Sequence, residues 1–310
     1  MNARTAPLAA ATRGNAVTAA ADSPLRVHYR TMDVEGVSVF YREAGPADAP
    51  AVLLLHGFGA SSYMFRELIP ALAPEYHVIA PDLPGFGQTT VLPGVQFRYT
   101  FDNLTSVIDA FTVAKGVERY ALYVFDYGAP VGWRLAVKHP QKISAIVSQN
   151  GNAYEEGLSA GWADMRKAWN EPTPENREAL RRFNTPEMIK WQYTEGVEDT
   201  SLIAPESYQL VSAAIERIGV EVQMDLLLDY GSNIRQYEQL HEFFRQYQPP
   251  VLAIWGEKDP FFLPAGAEAF KRDNPNAEVR FLNTGHFALE THGGEIATAM
   301  LEFLNRSVRR

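Results

Sequence analysis

Short apolar runs that alternate with helix-like stretches constrain the fold of this chain more than any other feature. The runs that predict strands are residues 37–41, 51–55, 77–80, 121–125, 143–148, 251–255 and 278–282. Helix-like patterns lie between most of them, over residues 63–72, 104–115, 131–138, 266–270 and 296–305. The later runs are almost wholly apolar, as expected of strands buried on both faces. The alternation therefore predicts an α/β domain whose mostly parallel sheet is covered by helices on both sides.

The alternation stops between residues 154 and 247, where helix-like segments follow one another without a clear strand. These segments are residues 162–170, 174–182, 186–193, 205–218 and 233–247. We expect such an insertion between two strands to pack over one end of the sheet as a helical cap. The predicted organisation is a core domain of residues 26–153 and 248–310, with the cap inserted at residues 154–247.

Composition narrows the range of partners. The formal net charge is -9, whereas nucleic acids and anionic membranes bind basic surfaces. The sequence contains no cysteine, which excludes disulfides and thiolate chemistry. No stretch approaches the roughly 18 apolar residues that a membrane span needs. We expect a cytoplasmic protein with a small-molecule substrate, bound to neither nucleic acid nor membranes, and the oligomeric state stays open.

Residues 1–25 differ in composition from the rest of the chain. They are rich in Ala and Thr and contain no aromatic residue. The apolar run at residues 8–11 is too short for the core of a signal peptide, and Arg13 and Gly14 interrupt it. We interpret this segment as a flexible extension, with an export or transit segment as the alternative.

The most informative chemical motif is the segment 124–129, in which an apolar strand leads directly into Asp126. Gly128 and Ala129 follow, as a sharp strand-to-helix turn requires, and Pro130 suits a first helical turn. This is the pattern of a nucleophile elbow with Asp126 at its apex. Taken alone, the same pattern would also suit an Asp that caps the following helix.

A second motif, His56-Gly57-Phe58-Gly59, follows the predicted strand at residues 51–55. It places flexible backbone at the carboxyl edge of the sheet, where the backbone N–H groups of Phe58 and Tyr127 could form an oxyanion hole. We expect His56 to hold the shape of this loop through hydrogen bonds.

Two further motifs supply an acid and a base. Asp259 lies in the turn that follows the strand at residues 251–255, with Glu257 as the alternative acid. His286 lies beside a glycine in the loop after the last predicted strand. The chain order of nucleophile, acid and histidine is that of α/β-hydrolases, and each residue follows a predicted strand.

On these motifs, residues 27–306 resemble the α/β-hydrolase superfamily. The elbow, with Asp126 in place of the usual Ser, resembles that of the haloalkane dehalogenase and epoxide hydrolase branch. The segment 81–87 is also typical of this branch. The resemblance implies an eight-stranded, mostly parallel sheet, a helical cap and no cofactor or metal. Gly59 stands where epoxide hydrolases usually carry Pro, and Tyr127 stands where many dehalogenases carry a halide-binding Trp.

An aspartate nucleophile determines the type of reaction. A carboxylate attacks an sp³ carbon without a base and forms an alkyl-enzyme ester. His286 then activates the water that hydrolyses this ester, while Asp259 orients the imidazole ring. The sequence therefore predicts a hydrolase that acts through Asp126.

The leaving group decides the subclass. The predicted cap offers Tyr hydroxyls for an epoxide oxygen and Trp N–H groups for a halide; the candidates are Tyr193, Trp162, Trp191 and Tyr154, with Tyr193 preferred. We expect an epoxide hydrolase-like enzyme with a small apolar substrate. A haloalkane or haloacid dehalogenase and a non-catalytic binding protein are the alternatives.

Overall fold

The structure, a computed structural model, describes residues 25–308. The predicted N-terminal extension, apart from Leu25, lies outside the described residues. The strands are β1 His28–Val34, β2 Val37–Ala44, β3 Ala51–Leu55, β4 His77–Pro81, β5 Thr90–Val91, β6 Tyr120–Phe125, β7 Ile143–Gln149, β8 Val251–Gly256 and β9 Glu278–Leu282.

One sheet contains all of these strands, in the order β1-β2-β4-β3-β6-β7-β8-β9, with β5 added to β2. Along the path β4-β3-β6-β7-β8-β9, every pair of neighbouring strands is parallel. In contrast, β2 pairs antiparallel with β1, β4 and β5. Every residue of β3, β4, β6, β7 and β8 is buried, so helices and loops must cover both faces. The predicted α/β class is confirmed.

The helices are α1 Leu68–Leu72, α2 Phe101–Ala114, α3 Gly128–Lys138, α4 Ala163–Asn170, α5 Pro174–Ala179, α6 Pro186–Thr194, α7 Pro205–Ile218, α8 Val220–Asp229, α9 Gly231–Ile234, α10 Tyr237–Tyr247, α11 Pro264–Asp273 and α12 Ala288–Ser307. Around the sheet, α1 packs against α12, while α3 packs against α2 and α10. Within residues 25–308, no helix is both long and apolar enough to cross a membrane.

The segment between β7 and β8 contains the helices α4 to α10 and no strand, apart from a single β-bridge of Leu158 with Phe262. Two of these helices begin with a threonine that accepts a hydrogen bond from the first turn: Thr173 for α5 and Thr185 for α6. Both also carry proline in the first turn, where its missing N–H costs nothing. These local signals divide the insertion into short helices.

Candidate active site

The strand-to-helix turn after β6 places Asp126 at a sharp bend. Asp126 has a φ of 46°, in the left-handed region that few non-glycine residues adopt. A Cβ atom on Gly128 would lie 2.3 Å from the carbonyl oxygen of Leu55. Glycine is therefore required there, because α3 begins against the end of β3. The N-cap position of α3 is Tyr127, and no side chain caps this helix.

Two backbone N–H groups hold one oxygen of the Asp126 carboxylate. Phe58 N and Tyr127 N each donate a hydrogen bond of 2.5 Å to Asp126 Oδ1. Gly57 permits this approach, since a Cβ atom at that position would lie 2.4 Å from the same oxygen. The two predicted oxyanion donors thus face the carboxylate itself, where charge would develop during hydrolysis of an ester on Asp126.

The histidine loop brings an imidazole to the other oxygen of this carboxylate. His286 Nε2 lies 3.7 Å from Asp126 Oδ2, which is longer than a direct hydrogen bond. On the opposite side of the ring, His286 Nδ1 lies 2.6 Å from Asp259 Oδ2. In the neutral imidazole this arrangement places the proton on Nδ1 and leaves the Nε2 lone pair directed toward Asp126.

The carboxylate of Asp259 is buried and fully hydrogen-bonded. Its Oδ1 accepts bonds from the backbone N–H groups of Phe261 and Phe262, at 2.7 and 3.1 Å. Its Oδ2 accepts a second bond, of 2.7 Å, from the side-chain amide of Asn150. The alternative acid, Glu257, is exposed to solvent. The geometry therefore favours Asp259 as the acid that orients His286.

Burial and charge shift the pKa values of both reacting groups. Burial raises the pKa of Asp126 to about 6, although His286 and the two backbone N–H groups act in the opposite direction. Burial lowers the pKa of His286, but the charge and hydrogen bond of Asp259 outweigh it, so this pKa is raised overall. At neutral pH the carboxylate is mostly ionised and available for attack.

The loops around the carboxylate are fixed by buried polar contacts. His56 Nδ1 contacts the carbonyl oxygen of Gly57 at 3.0 Å, and His56 Nε2 accepts a bond of 2.9 Å from Leu83 N. Burial lowers the pKa of His56, which favours the neutral ring that this pattern requires. Asp82 accepts bonds from Ser62 N and Gln88 N, at 2.6 and 2.7 Å. These contacts tie the loop that carries Phe58 to the 81–87 segment.

A small, mostly apolar cavity of about 30 Å³ opens onto Asp126. Its lining residues come from the core and from the segment between β7 and β8: Phe58, Asp126, Tyr127, Trp162, Met165, Phe183, Gln192, Leu227 and Phe261. Among the described residues, no group of three or more histidine, aspartate or glutamate side chains is arranged to hold a metal ion. This apolar lining favours an uncharged organic group over an ion.

The structure brings one of the four predicted leaving-group donors to this cavity. Trp162 lines it, but its indole N–H donates to the carbonyl oxygen of Phe261 at 3.1 Å. Trp191 is 37% exposed and packs on the ring of Phe261. None of the other three candidates lines the cavity.

The preferred candidate, Tyr193, also has its hydroxyl engaged elsewhere. Tyr193 Oη donates a bond of 2.7 Å to the carbonyl oxygen of Gly59, and its ring stacks on Phe287. Tyr154 stacks on His241, away from the cavity. The geometry therefore does not support Tyr193 or Tyr154 as the proton donor.

Three residues near the reacting groups were not selected from the sequence for these roles. Asn150 follows β7 at the carboxyl edge of the sheet, a position that could have indicated a role. Gln192 and the side chain of Tyr127 line the cavity. For Gln192 no sequence signal was available, because its direction depends on how α6 is rotated over the sheet.

Comparison with known proteins identifies the family. A family model described as the alpha/beta hydrolase fold matches residues 50–293. The chain belongs to the α/β-hydrolase fold family. This assignment agrees with the sheet order and with the elbow at Asp126.

Proteins similar to this α/β-hydrolase include an uncharacterized hydrolase, a haloalkane dehalogenase and an epoxide hydrolase. The uncharacterized hydrolase YNR064C of Saccharomyces cerevisiae is 43% identical over 272 residues, which cover 86% of this chain and 93% of that protein. A haloalkane dehalogenase of Bradyrhizobium diazoefficiens is 34% identical over 169 residues, or 53% of this chain and 52% of the relative. The crystal structure of epoxide hydrolase VrEH1 from Vigna radiata has a TM-score of 0.71 at 25% identity, covering 92% of this chain and 100% of that one. These similarities support an enzyme rather than a non-catalytic binding protein.

Proposed function

We propose that this α/β-hydrolase hydrolyses small epoxides through an alkyl ester on Asp126. One observation carries the proposal: a carboxylate occupies the elbow, with Oδ1 held by two N–H groups and Oδ2 facing His286 Nε2 at 3.7 Å. A carboxylate in this arrangement is suited to attack an sp³ carbon, and the ester it forms already lies in an oxyanion hole.

In the first step, Asp126 Oδ2 attacks an epoxide carbon and the ring carbon–oxygen bond breaks. The departing oxygen takes a proton, for which we propose the phenol of Tyr127. Tyr127 lines the cavity, and its hydroxyl has no hydrogen-bond partner among the described residues. Burial, reinforced by the charge of Asp126, raises the pKa of this phenol well above its usual value. The phenol is therefore protonated at neutral pH.

In the second step, His286 Nε2 removes a proton from water as the water oxygen adds to Cγ of Asp126. The negative charge that forms on Oδ1 is stabilised by the N–H groups of Phe58 and Tyr127. Asp259 stabilises the imidazolium, which then protonates the departing alkoxide. The acid formed on Asp126 returns its proton to the Tyr127 phenolate. The products are a vicinal diol and the original enzyme.

Haloalkane dehalogenation is a second candidate, favoured by the apolar lining of the cavity and by the dehalogenase relatives. The same carboxylate would displace a halide. The two tryptophans that the sequence offered as halide donors are not available, however, since the Trp162 N–H is bonded to Phe261 and Trp191 lies at the surface. The hydroxyl of Tyr127 therefore makes the epoxide the better-supported substrate.

Replacing Tyr127 by Phe tests the choice of leaving group. The Tyr127→Phe variant keeps the aromatic ring and the backbone N–H, so we expect an unchanged melting temperature. Alkylation of Asp126 by an epoxide should slow by about 100-fold or more, the usual contribution of a general acid. Alkylation by a 1-chloroalkane should change little.

The measurement is a single-turnover quench with styrene oxide and, in parallel, 1-chlorobutane. Diol is assayed for the first substrate and chloride for the second, with Asp126→Asn as the inactive control. Wild-type turnover of the chloroalkane alone would replace the epoxide proposal by the dehalogenase one. An unchanged epoxide rate in Tyr127→Phe would remove this phenol from the mechanism.

A further inference from the structure

Gln192 is a buried amide whose hydrogen-bonding capacity is almost unused. It lies on α6, is 3% exposed and lines the cavity that contains Asp126. Its Nε2 atom lies 3.5 Å from the carbonyl oxygen of Phe183, at the outer limit of a hydrogen bond. Among residues 25–308, no group donates a hydrogen bond to its Oε1 atom. Both ends of this amide are therefore available to a bound molecule that donates to Oε1 and accepts from Nε2.

The other polar groups of the cavity already have roles. The Trp162 N–H is bonded to Phe261, Asp126 is the proposed nucleophile and Tyr127 is the proposed acid. The remaining lining residues are apolar: Phe58, Met165, Phe183, Leu227 and Phe261. Gln192 is therefore the lining side chain of this cavity that is free to recognise a polar group of the substrate.

The neighbouring residue fixes the position of Gln192. Tyr193 donates its hydroxyl proton to the carbonyl oxygen of Gly59, and its ring stacks on Phe287 with centroids 3.7 Å apart. Both contacts connect α6 to loops that carry catalytic groups, since Gly59 follows Phe58 and Phe287 follows His286. A Cβ atom on Gly59 would lie 3.7 Å from Gln192 Oε1, so the amide sits directly beside the oxyanion loop.

We propose that Gln192 is a specificity residue that selects substrates with a neutral hydroxyl or amide next to the reacting carbon. Such a group can accept from Nε2 and donate to Oε1, which satisfies both halves of the side chain. A substrate with a methyl group instead leaves the buried amide unpaired, and a site built in this way discriminates strongly against it. This inference rests on the proposed alkylation of Asp126 but not on the identity of the leaving group.

A pair of isosteric epoxides tests the inference. Glycidol and 1,2-epoxybutane differ by a hydroxyl in place of a methyl group. Wild-type enzyme should show kcat/KM at least about tenfold higher for glycidol, the effect of one buried hydrogen bond. Gln192→Met, which keeps the length of the side chain, should remove this preference by losing activity on glycidol while retaining it on 1,2-epoxybutane. Lys190→Met, at an exposed position of the same helix, should retain the wild-type preference.

The outcomes separate this inference from the proposed function. In the His286→Gln background, alkylation of Asp126 is followed by intact-protein mass, with the same two epoxides and with 2-chloroethanol and 1-chloropropane as the halide pair. Adducts that form equally fast from both members of a pair would overturn the role of Gln192 and leave the covalent mechanism standing. The absence of an adduct from all four compounds, in folded protein, would overturn the mechanism and this inference together. A preference that persists in Gln192→Met would assign the selection to another residue and so contradict the inference.

Discussion

At the scale of the residue, the surroundings of Asp126 change its chemistry. An exposed aspartate titrates near pH 4, whereas burial raises the pKa of Asp126 to about 6. The position of Asp126 at a strand-to-helix turn could be predicted from residues 124–129, because an apolar strand ends there and two small residues follow. The elevated pKa could not be predicted, because it results mainly from burial, which Phe58, His286 and Asp259 then modify from distant parts of the sequence.

The raised pKa values of Asp126 and His286 predict that the rates of alkylation and of hydrolysis both fall at acidic pH, each at a different pH. Attack requires the carboxylate of Asp126, whose pKa is raised, so the alkylation rate should fall as the pH decreases through about 6. Hydrolysis requires neutral His286, whose pKa Asp259 raises against the effect of burial; the further contribution of the Asp126 charge is lost in the ester. Because protonation of His286 removes the base, the hydrolytic rate should fall at a higher pH than alkylation does.

Rapid-quench measurements from pH 5 to pH 9 resolve the two steps, with the ester measured by mass spectrometry. Ester should accumulate in the wild-type enzyme in the pH interval between the fall of hydrolysis and the fall of alkylation. An alkylation rate that stays constant down to pH 5 would mean that the Asp126 carboxylate is not the attacking group.

At the scale of the element, the strands of the parallel sheet were predicted to within a few residues because most of their residues are apolar. β1 was missed because its residues are partly or fully exposed, and β5 because it contains two residues. The resemblance to α/β-hydrolases implied eight strands. Among the described residues, the sheet has eight strands in one path and a ninth, the short β5, paired with β2. The predicted helix over residues 63–72 is a 3-10 turn, Ser62–Phe65, followed by α1.

The direction of side chains on α6 was the main feature that the sequence could not supply. Successive residues of a helix point about 100° apart, so Trp191, Gln192 and Tyr193 face three different surroundings. Trp191 faces solvent in part, Gln192 faces the cavity and Tyr193 bonds to the loop at Gly59. Periodicity identifies such a helix but not its rotation about its axis, which the packing of α6 on the core determines.

A single methyl group added at Gly128 should have a large effect on stability and activity, because the elbow leaves no room for it. Gly128→Ala would place a Cβ atom 2.3 Å from the carbonyl oxygen of Leu55, and neither backbone segment can move without disturbing β3 or α3. We expect a loss of stability of several kcal/mol, on the order of 3 kcal/mol or more, together with loss of activity. Thermal melting and a turnover assay measure both effects.

Gly294→Ala is the matched control, because no atom lies within 4 Å of the added Cβ. Alanine is the better helix former, so this variant should be slightly more stable, by about 0.5–1 kcal/mol, and fully active. Equal melting temperatures for the two variants would show that the close contact of Gly128 with β3 does not constrain the elbow.

At the scale of the whole molecule, the helices between β7 and β8 and the loops at the carboxyl ends of the strands enclose one site. Core residues supply the proposed nucleophile, acid and base, while the inserted segment supplies other walls of the cavity: Trp162, Met165, Phe183, Gln192 and Leu227. This division explains why the candidate catalytic residues could be selected from core motifs, whereas most of the residues that line the cavity could not. We propose that residues 154–247 act as a cap that determines specificity.

The most direct test of the account is the covalent ester itself. His286→Gln should still be alkylated, because attack by Asp126 needs no base, but it should not hydrolyse the product. The adduct should therefore accumulate and add the full mass of an epoxide, or the mass of a haloalkane less that of the hydrogen halide. Peptide mapping should place it on the segment that contains Asp126. A folded His286→Gln protein that gives no adduct with a substrate turned over by the wild type, or an adduct on another residue, would contradict the central claim.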